Sequence, residues 1–309
     1  MTTPHCADSP GKLHRGRFAP TPSGPLHLGS LLTALASYLH AKAAGGHWLL
    51  RIDDLDTPRC VPGAGDTIMR QLEAHALTWD ESAVLQTQHL ARYQEAIETL
   101  SARGLTYACA CTRMLLKARS HPGPDGPVYD GHCRELRLPA DGHALRLRVD
   151  CGCLCFDDGL QGRVCRSLGP EVGDFVLRRA DGIVGYQLAC AVDETLMGIT
   201  DVVRGADLLG SSFRQLHLMA LMNVPRPRYL HLPLLIDHSG RKLSKQNHAA
   251  PIDAANASRN LQHCLQLLGQ QPPDALTGAT PKEWIDWAVP HWQPASVPRA
   301  SELQVEPRL

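Results

Sequence analysis

The sequence has 309 residues, with 31 Lys and Arg side chains balanced by 31 Asp and Glu side chains, so its formal net charge is zero. Its 43% hydrophobic and 20% charged residues are typical of a globular protein of one large or two small domains and exclude a largely disordered chain. The zero charge argues against non-specific coating of nucleic acid, although it allows a local basic groove.

The sequence also argues against a membrane or export route. No apolar stretch approaches the roughly 20 residues that cross a bilayer. The N-terminal residues lack the apolar core of a secretory signal. We therefore expect a cytoplasmic protein with no membrane partner.

The opening of the chain predicts a strand, a loop, a helix and a second strand. Residues 13–19 predict a short strand, which ends in a loop over 20–25 because proline lacks a hydrogen-bond donor. Leucines on one face predict a helix over 30–44 that ends at a Gly-Gly pair. The apolar run 48–52 is typical of a buried parallel strand. This order predicts a βαβ unit in an α/β fold.

Later segments continue the mixed pattern. Amphipathic helices are predicted over 66–76 and 90–103. Residues 105–150 contain cysteines, a Gly- and Pro-rich stretch and then arginines, and we interpret them as an insertion. The elements predicted after it are a hairpin that turns at 181–182, a strand over 199–204, a helix capped by Ser211, a strand over 229–236 and a helix around 261–268 with a proline-rich end.

Eleven cysteines in a chain without an export signal indicate a reducing compartment, with thiols free or bound to metal. Cys109 and Cys111 form a C-x-C pair, followed by Cys133. A second cluster over 151–155, with Cys165 after it, places three cysteines at alternate positions on one face of a predicted strand. Because cysteine is a common small buried residue, we interpret this second cluster as core.

The loop between the first strand and the first helix gives the first functional signal, the segment 17–30, RFAPTPSGPLHLGS. Backbone N–H groups and the helix dipole can receive phosphate at this position. Gly29 allows a ligand to approach the backbone, and His27 can donate to a phosphate oxygen. Taken alone, the His-x-Gly pair favours a proline-rich surface loop with an incidental histidine.

A second signal, KLSK at 242–245, follows a predicted strand and a Ser-Gly turn. Two lysines three positions apart can close over polyphosphate and neutralise a leaving pyrophosphate. Taken alone, this segment favours a solvated basic turn.

In this order, and about 215 residues apart, the two segments resemble the paired signatures of class I aminoacyl-tRNA synthetases. Residues 51–59, 79–81 and 199–209 are similar to the catalytic domain of glutamyl-tRNA synthetases. The resemblance covers about residues 12–248. Because several long motifs occur in the same order, the probability that the resemblance arises by chance is very small.

After the lysine segment only about 60 residues remain, and from 251 onward they carry four Lys or Arg against six Asp or Glu. This tail is unlike a basic anticodon-reading domain. With the segments 175–182 and 186–189, the short chain resembles the truncated glutamyl-Q tRNA(Asp) synthetase family. We therefore expect a catalytic domain over 1–250 with a zinc-binding insertion at 105–150, then a short helical region over 251–309.

The family resemblance implies an α/β fold with a Rossmann-like parallel sheet. It also implies activation of L-glutamate with ATP and Mg²⁺ to glutamyl-adenylate without tRNA, then transfer to the queuosine base of tRNA(Asp) by a monomer. By resemblance, the glutamate site comprises Arg17, Phe18, Ala19, Pro20, Thr21, Asp53, Tyr186 and Arg204. The ATP site comprises His27, Gly29, Ser30 and Lys245, and the catalytic groups are His27, Lys242 and Lys245.

One position departs from the family pattern. The family usually has Glu where this chain has Asp53, and that acid is expected to bind the α-amino group of the substrate. Because Asp is one methylene shorter, a water-mediated contact can replace a direct one. The alternative is that Asp53 only caps a turn, but its place after the second strand favours a substrate contact.

The first cysteine cluster predicts one structural zinc site. Cys109, Cys111 and Cys133 offer three thiolates, and the family pattern supplies Tyr129 as the fourth ligand. Histidine is the commoner zinc ligand, so His132 is the alternative, although its position beside Cys133 makes joint ligation sterically awkward.

Three other functions compete with this interpretation. The chain could activate glutamate for another acceptor or act as the catalytic half of a tRNA synthetase. It could be a silent paralogue that binds amino acid or RNA, which only Asp53 favours. A zinc-dependent nucleic-acid module is disfavoured by the neutral charge and the long nucleotide-site motifs.

Overall fold

The computed structural model describes residues 13–243 and 250–305. Its strands are β1 (Arg15–Phe18), β2 (His47–Ile52), β3 (Val84–Leu85), β4 (Thr106–Cys109), β5 (His121–Gly123), β6 (Gly126–Val128), β7 (Ala144–Leu147), β8 (Cys153–Asp158), β9 (Gly162–Ser167), β10 (Val176–Arg178), β11 (Asp201–Gly205), β12 (Arg228–Leu232), β13 (Leu234–Ile236) and β14 (Glu302–Gln304). Its helices are α1 (Leu28–Ala43), α2 (Ala64–Ala74), α3 (Leu90–Ala102), α4 (Arg113–Arg119), α5 (Tyr186–Leu196), α6 (Leu209–Met222), α7 (Ala257–Leu267) and α8 (Pro281–His291). None of these helices has the length and hydrophobicity needed to cross a bilayer.

Parallel strands form the centre of the fold, as the sequence predicts. β1 pairs with β2 and β2 with β3, and β11 pairs with β12, all in parallel. β11 lies beside β1, where the Thr200 amide donates to the Arg15 carbonyl at 3.0 Å and the Arg15 amide donates to Thr200 Oγ1 at 2.8 Å. Parallel neighbours need a crossover, and α1 supplies it between β1 and β2. The predicted βαβ unit is therefore confirmed.

Two of the predicted boundaries differ from the structure. The strand predicted over 229–236 is two strands, β12 and β13, interrupted at Pro233, which has no N–H to donate. Ser211 does not cap its helix, because α6 already begins at Leu209 and Leu208 occupies the cap. Ser211 therefore lies in the first turn of α6, next to the buried Ser212.

The proline-rich end contains a helix that we did not predict, α8. Its first turn is fixed by a capping box, in which Glu283 N donates to Thr280 Oγ1 at 3.3 Å and Thr280 N donates to Glu283 Oε2 at 2.7 Å. Pro281 occupies the first helical position, where its missing N–H costs nothing. This local pattern starts the helix although the surrounding sequence is rich in proline.

Helices α7 and α8 cover one face of the central sheet. Their side chains Leu261 and Trp284 belong to the same apolar cluster as Leu35 of α1 and Trp48 of β2. A second cluster on the opposite face unites α3, α5 and α6 with β7 and β10. The C-terminal region is thus packed into the core of the fold.

Residues 105–150 form a small antiparallel unit. β7 pairs with β4 and with β10, and β5 and β6 form a hairpin. A separate small cluster of buried side chains holds this unit together, namely Tyr107, Cys109, Tyr129 and Cys133.

The second cysteine cluster is not core, so that prediction is wrong. Cys151 and Cys153 are exposed, and Cys155 forms a disulfide with Cys165 across the β8–β9 hairpin. The alternation does place these cysteines on one face of β8, but the core side is taken by Leu154, which is 7% exposed. The expectation that all thiols are free or metal-bound is therefore also wrong for this pair.

Replacing Trp284 with Ala should destabilise the whole fold, because its indole is 2% exposed in the core shared with α1. Loss of a buried aromatic side chain costs about 3–5 kcal/mol. We expect a loss of this size in the free energy of unfolding measured by denaturant titration. Trp287→Ala, at a partly buried position one turn later, is the matched control and should cost less than half as much. Equal losses would mean that α8 is not packed as described.

Candidate active site

The candidate site lies where the carboxyl ends of three parallel strands meet. Arg17 is near the end of β1, Asp53 directly follows β2, and Arg204 is near the end of β11. Ligands of open α/β sheets bind at this edge. Three residues that are far apart in the sequence thereby face one region.

Two buried ion pairs form the floor of this region. Arg17 Nε donates to Glu194 Oε1 at 2.9 Å and to Glu194 Oε2 at 3.0 Å. Arg51 Nε donates to Asp53 Oδ1 at 2.7 Å, and Arg51 Nη1 lies 3.6 Å from Glu194 Oε1. Although burial opposes ionisation, Arg17 and Arg51 hold the pKa of Glu194 below its ordinary value. Glu194 is therefore a fixed negative charge.

Asp193, the other acidic residue of α5, has four polar partners, and one of them is Arg51 of these ion pairs. Its carboxylate accepts from Gln86 Nε2 at 2.7 Å and from the Tyr93 hydroxyl at 2.9 Å, and it lies 2.8 Å from His89 Nδ1. It also lies 3.6 Å from Arg51 Nε. A fully buried carboxylate needs this many partners to stay in the folded core.

Arg204 is held by a hydrogen-bonded chain of polar residues. His231 Nδ1 lies 2.6 Å from Asp158 Oδ2, and its Nε2 accepts from Arg204 Nε at 3.2 Å. Ser212 Oγ accepts from Arg204 Nη2 at 2.7 Å and lies 3.0 Å from His231 Nε2. Burial lowers the pKa of His231, so the ring is neutral, with its proton on Nδ1 and directed at Asp158. This tautomer leaves Nε2 as the acceptor that Arg204 requires.

The third nitrogen of this guanidinium is unsatisfied. Arg204 is 3% exposed, and its Nη1 has no hydrogen-bond partner among the residues that the structure describes. A buried donor without a partner costs roughly 1–3 kcal/mol, and more when it is charged. An anionic group that accepts from Nη1 would remove this cost.

The Asp53 carboxyl group changes its ionisation state just below neutral pH. Burial raises its pKa to about 6, against the opposing effect of Arg51. Both Asp53 and Arg204 act on the buried thiol of Cys190, and burial with the Asp53 charge raises the pKa of that thiol to about 12. Cys190 is thus a neutral side chain, and its sulfur lies 3.7 Å from Arg51 Nη2.

The other residues predicted for the glutamate site lie at the end of β1, in the loop after it and at the start of α5. Phe18 is buried in the core, and the Pro20 carbonyl accepts from the Asp53 amide at 3.0 Å, which ties the loop after β1 to the end of β2. Ala19 and Thr21 lie in that loop. Tyr186 begins α5 and is 39% exposed, with Gly185 before it as the helix cap.

The segment predicted to bind phosphate lies beside Leu243 of the predicted lysine segment. His27 caps α1, where its Nδ1 accepts from the Ser30 amide at 3.2 Å, so a neutral ring carries its proton on Nε2. A Cβ atom at Gly29 would lie 3.2 Å from the His27 ring and 3.6 Å from the Leu243 carbonyl. Only a residue without a side chain leaves space between these two segments for a ligand.

Lys242 forms an ion pair with Asp207, two residues before α6 begins. Lys245, predicted for both the ATP site and catalysis, lies outside the described residues. A cavity of about 430 Å³ opens beside Asp207, between α6 and the β5–β6 hairpin. Its polar lining residues are Asp125, Arg166, Asp207, Ser211 and Arg214.

The predicted zinc ligands lie together in the insertion. The sulfur atoms of Cys109, Cys111 and Cys133 are all within 4.8 Å of one another. The Tyr129 hydroxyl is 3.6 Å from Cys109 Sγ and 3.3 Å from Cys111 Sγ. His132, the alternative ligand, instead lies 2.8 Å from Arg119 Nη2 through its Nδ1 and is exposed. Three thiolates and one oxygen fit a closed tetrahedral site.

A third group, His14, His40 and Asp201, also has potential ligand atoms within 4.8 Å. Its carboxylate already accepts from Arg228 Nε at 2.8 Å and Nη2 at 3.0 Å. Because the Arg228 guanidinium already pairs with the Asp201 carboxylate, a metal ion is not required to balance the charge of this group.

Several residues of the site were missed by sequence reasoning. Asp193 and Glu194 are two acids in an otherwise apolar helix, and such a pair is a signal for buried charge. Arg51 lies in the recognised segment 51–59 but was given no role, and His231 and Ser212 gave no comparable signal, because their contacts with Arg204 form only in the folded chain.

This fold and site define a class I tRNA synthetase catalytic domain. Residues 14–267 match the family model of class I tRNA synthetases (E and Q), catalytic domain. A glutamate-tRNA synthetase from Elizabethkingia anophelis aligns with a TM-score of 0.76 at 25% identity, over 95% of this chain and 68% of that chain.

More similar relatives are found among curated sequences. The chain is 48% identical to the glutamyl-Q tRNA(Asp) synthetase of Ectopseudomonas mendocina, over 93% of this chain and 96% of the relative. It is 47% identical to that of Thiobacillus denitrificans, over 92% and 94%. The chain belongs to the glutamyl-Q tRNA(Asp) synthetase family, as its motifs predict.

Proposed function

We propose that this protein activates L-glutamate with ATP and then transfers the glutamyl group to queuosine in tRNA(Asp). The observation that carries the proposal is the unsatisfied Nη1 of Arg204, at a strand-end site that also offers the Asp53 carboxylate. A carboxylate acceptor and an ammonium donor are the two ends that an amino acid with an acidic side chain presents.

The orientation of glutamate follows from the chemistry of activation. The α-carboxylate must remain free to attack ATP, so Arg204 pairs with the γ-carboxylate. Asp53 accepts from the α-ammonium group. Amino acids without a second carboxylate leave Arg204 buried and unpaired, and this difference provides the selectivity.

Activation proceeds by in-line attack of the α-carboxylate oxygen on the α-phosphorus of ATP. The bond to the bridging oxygen breaks, which yields glutamyl-adenylate and pyrophosphate. His27 donates from Nε2 to a phosphate oxygen, and the α1 N-terminus with Gly29 and Ser30 receives the phosphates. Lys242 and Lys245 neutralise the leaving pyrophosphate, with Mg²⁺ bound to the ATP substrate.

In the second step, a hydroxyl of the acceptor attacks the carbonyl carbon of the adenylate, and AMP leaves with the electron pair of the broken bond. Queuosine in tRNA(Asp) is the acceptor named for the relatives. The cavity beside Asp207 is large enough to admit a nucleoside and lies next to the lysine segment. We place this chemistry in a cytoplasmic monomer.

The direct test is glutamate-dependent exchange of pyrophosphate into ATP without tRNA. The wild-type chain should exchange with glutamate and far less with glutamine. Arg204→Gln should lower kcat/KM for glutamate by at least about 30-fold, because a buried charge pair is worth roughly 2–5 kcal/mol. Arg92→Gln, at an exposed arginine paired with Glu95, is the control and should leave exchange unchanged.

Transfer is measured separately, with labelled glutamate and tRNA(Asp) with or without queuosine. Labelling only of the queuosine-containing tRNA supports the proposal. Exchange without transfer would reopen the acceptor, and absence of exchange with any amino acid would favour a silent paralogue.

The affinity for glutamate should fall as the pH falls through about 6. Only the ionised Asp53 attracts the ammonium group, and burial raises the pKa of Asp53 to about 6. The γ-carboxyl group of free glutamate titrates near 4.3 and stays charged over this range. KM for glutamate should therefore rise by up to about tenfold for each pH unit below 6. The Asp53→Asn variant should have a high KM that is nearly flat between pH 5 and 7; retention of the wild-type slope would contradict this role.

We further propose that Cys109, Cys111, Cys133 and Tyr129 hold one zinc ion. It supplies no chemistry to the reaction and only fixes the insertion. In protein purified with its disulfide intact, Cys109→Ser should reduce zinc from about one ion per chain to near zero and lower the melting temperature. Cys60→Ser, at a half-buried cysteine outside the clusters, is the control. Unchanged zinc in the Cys109 variant would exclude this site.

A further inference from the structure

The β8–β9 hairpin carries a second group of three sulfur atoms that the proposed reaction does not use. Cys153 and Cys155 stand on one face of β8, and Cys165 lies directly opposite Cys155 on β9. The three Sγ atoms are all within 4.8 Å of one another. Cys153 and Cys165 are exposed, so solvent reaches the group.

The spacing of the Cys153 and Cys155 sulfur atoms matches that of two thiolates in a metal site. Two thiolates bound to one tetrahedral zinc ion at about 2.3 Å lie about 3.8 Å apart. Cys153 Sγ and Cys155 Sγ are 3.8 Å apart, close to the 3.6 Å between Cys111 and Cys133 in the insertion. The β8–β9 ladder pairs residues 153–158 with 162–167, so it keeps Cys165 opposite Cys155 and beside Cys153 when the disulfide between Cys155 and Cys165 is reduced.

The charges around the group do not oppose a cation. On the same face of the hairpin, Arg163 lies opposite Asp157, with Nη1 3.6 Å from its Oδ1. Ser167, a neutral residue, lies opposite Cys153. The positive charge of Arg163 is thus compensated, and three thiolates give the hairpin a net negative site.

We infer that the reduced hairpin binds one thiophilic divalent metal ion, with Zn²⁺ as the probe, through Cys153, Cys155 and Cys165. A dithiol reductant forms the reduced state: its two electrons and two protons pass to the sulfurs of Cys155 and Cys165, and it becomes a disulfide itself. Metal binding then releases the thiol protons to solvent. In the disulfide state only one thiolate of the three remains, so the ion is not held.

Zinc content of the full-length protein tests this site. The chain is reduced with a phosphine, loaded with Zn²⁺ and desalted without oxygen, and zinc per chain is compared with that of the unreduced protein. Reduction should add about one ion per chain. Cys153→Ser should abolish the added ion, whereas Cys151→Ser, an exposed cysteine on the same segment but outside the group, should retain it.

Alkylation locates the ion independently. Zn²⁺ should slow iodoacetamide modification of Cys153 and Cys165 in the reduced protein by at least about tenfold and leave Cys151 unaffected. No added ion on reduction, equal loss in both serine variants, or unprotected Cys153 would each overturn the inference. These measurements do not involve glutamate activation. The Cys109→Ser variant separates the hairpin ion from the insertion ion, because it loses the insertion ion in both redox states.

Discussion

The buried ion pair between Arg17 and Glu194 is the constraint on which the site depends. It joins the first strand of the sheet to α5, about 177 positions later, and neither partner can be buried alone without a large cost. Glu194 also faces Arg51, which is tied to Asp53 in turn. The carboxyl edge of the sheet thereby becomes a rigid polar floor with its charges paired. At this edge, Arg204 Nη1 is a buried guanidinium nitrogen with no hydrogen-bond partner within residues 13–243 and 250–305.

The hydrogen-bonded residues that hold Arg204 come from neighbouring strands and from α6, in the second half of the chain. β11 carries the guanidinium, β12 carries His231, and Asp158 at the end of β8 fixes the tautomer of that histidine. The Asp158 carboxylate also accepts from the Leu160 and Gln161 amides at 3.0 and 2.9 Å, so the turn after β8 holds it in place. One strand thus positions a buried acid at one end and exposes Cys153 at the other.

The sequence predicts the elements whose signal is local. The leucine spacing of α1 and the apolar run of β2 are sufficient for the βαβ unit, since the period of hydrophobic residues is a property of the segment itself. The α8 helix had a local signal too, the capping box of Thr280 and Glu283, which the proline content obscured. Alternation at 151–155 predicts a shared face, but only the elements that pack against β8, such as α6 with Phe213 against Phe156, decide which face is inside.

The site itself is predictable only where a motif carries it. His27 and Lys242 were found because each stands in a recognisable segment, but neither sequence indicates that the two segments lie side by side in the fold. The proximity of the two segments is visible at Gly29, where a Cβ atom would lie 3.2 Å from the His27 ring and 3.6 Å from the Leu243 carbonyl. Arg51 stands in the recognised segment 51–59, but its contact with Glu194 is not visible there, and His231 stands in no recognised segment and meets Asp158 from 73 positions away. Long-range charge pairing is a property of the assembled sheet, and a single sequence contains no periodic trace of it.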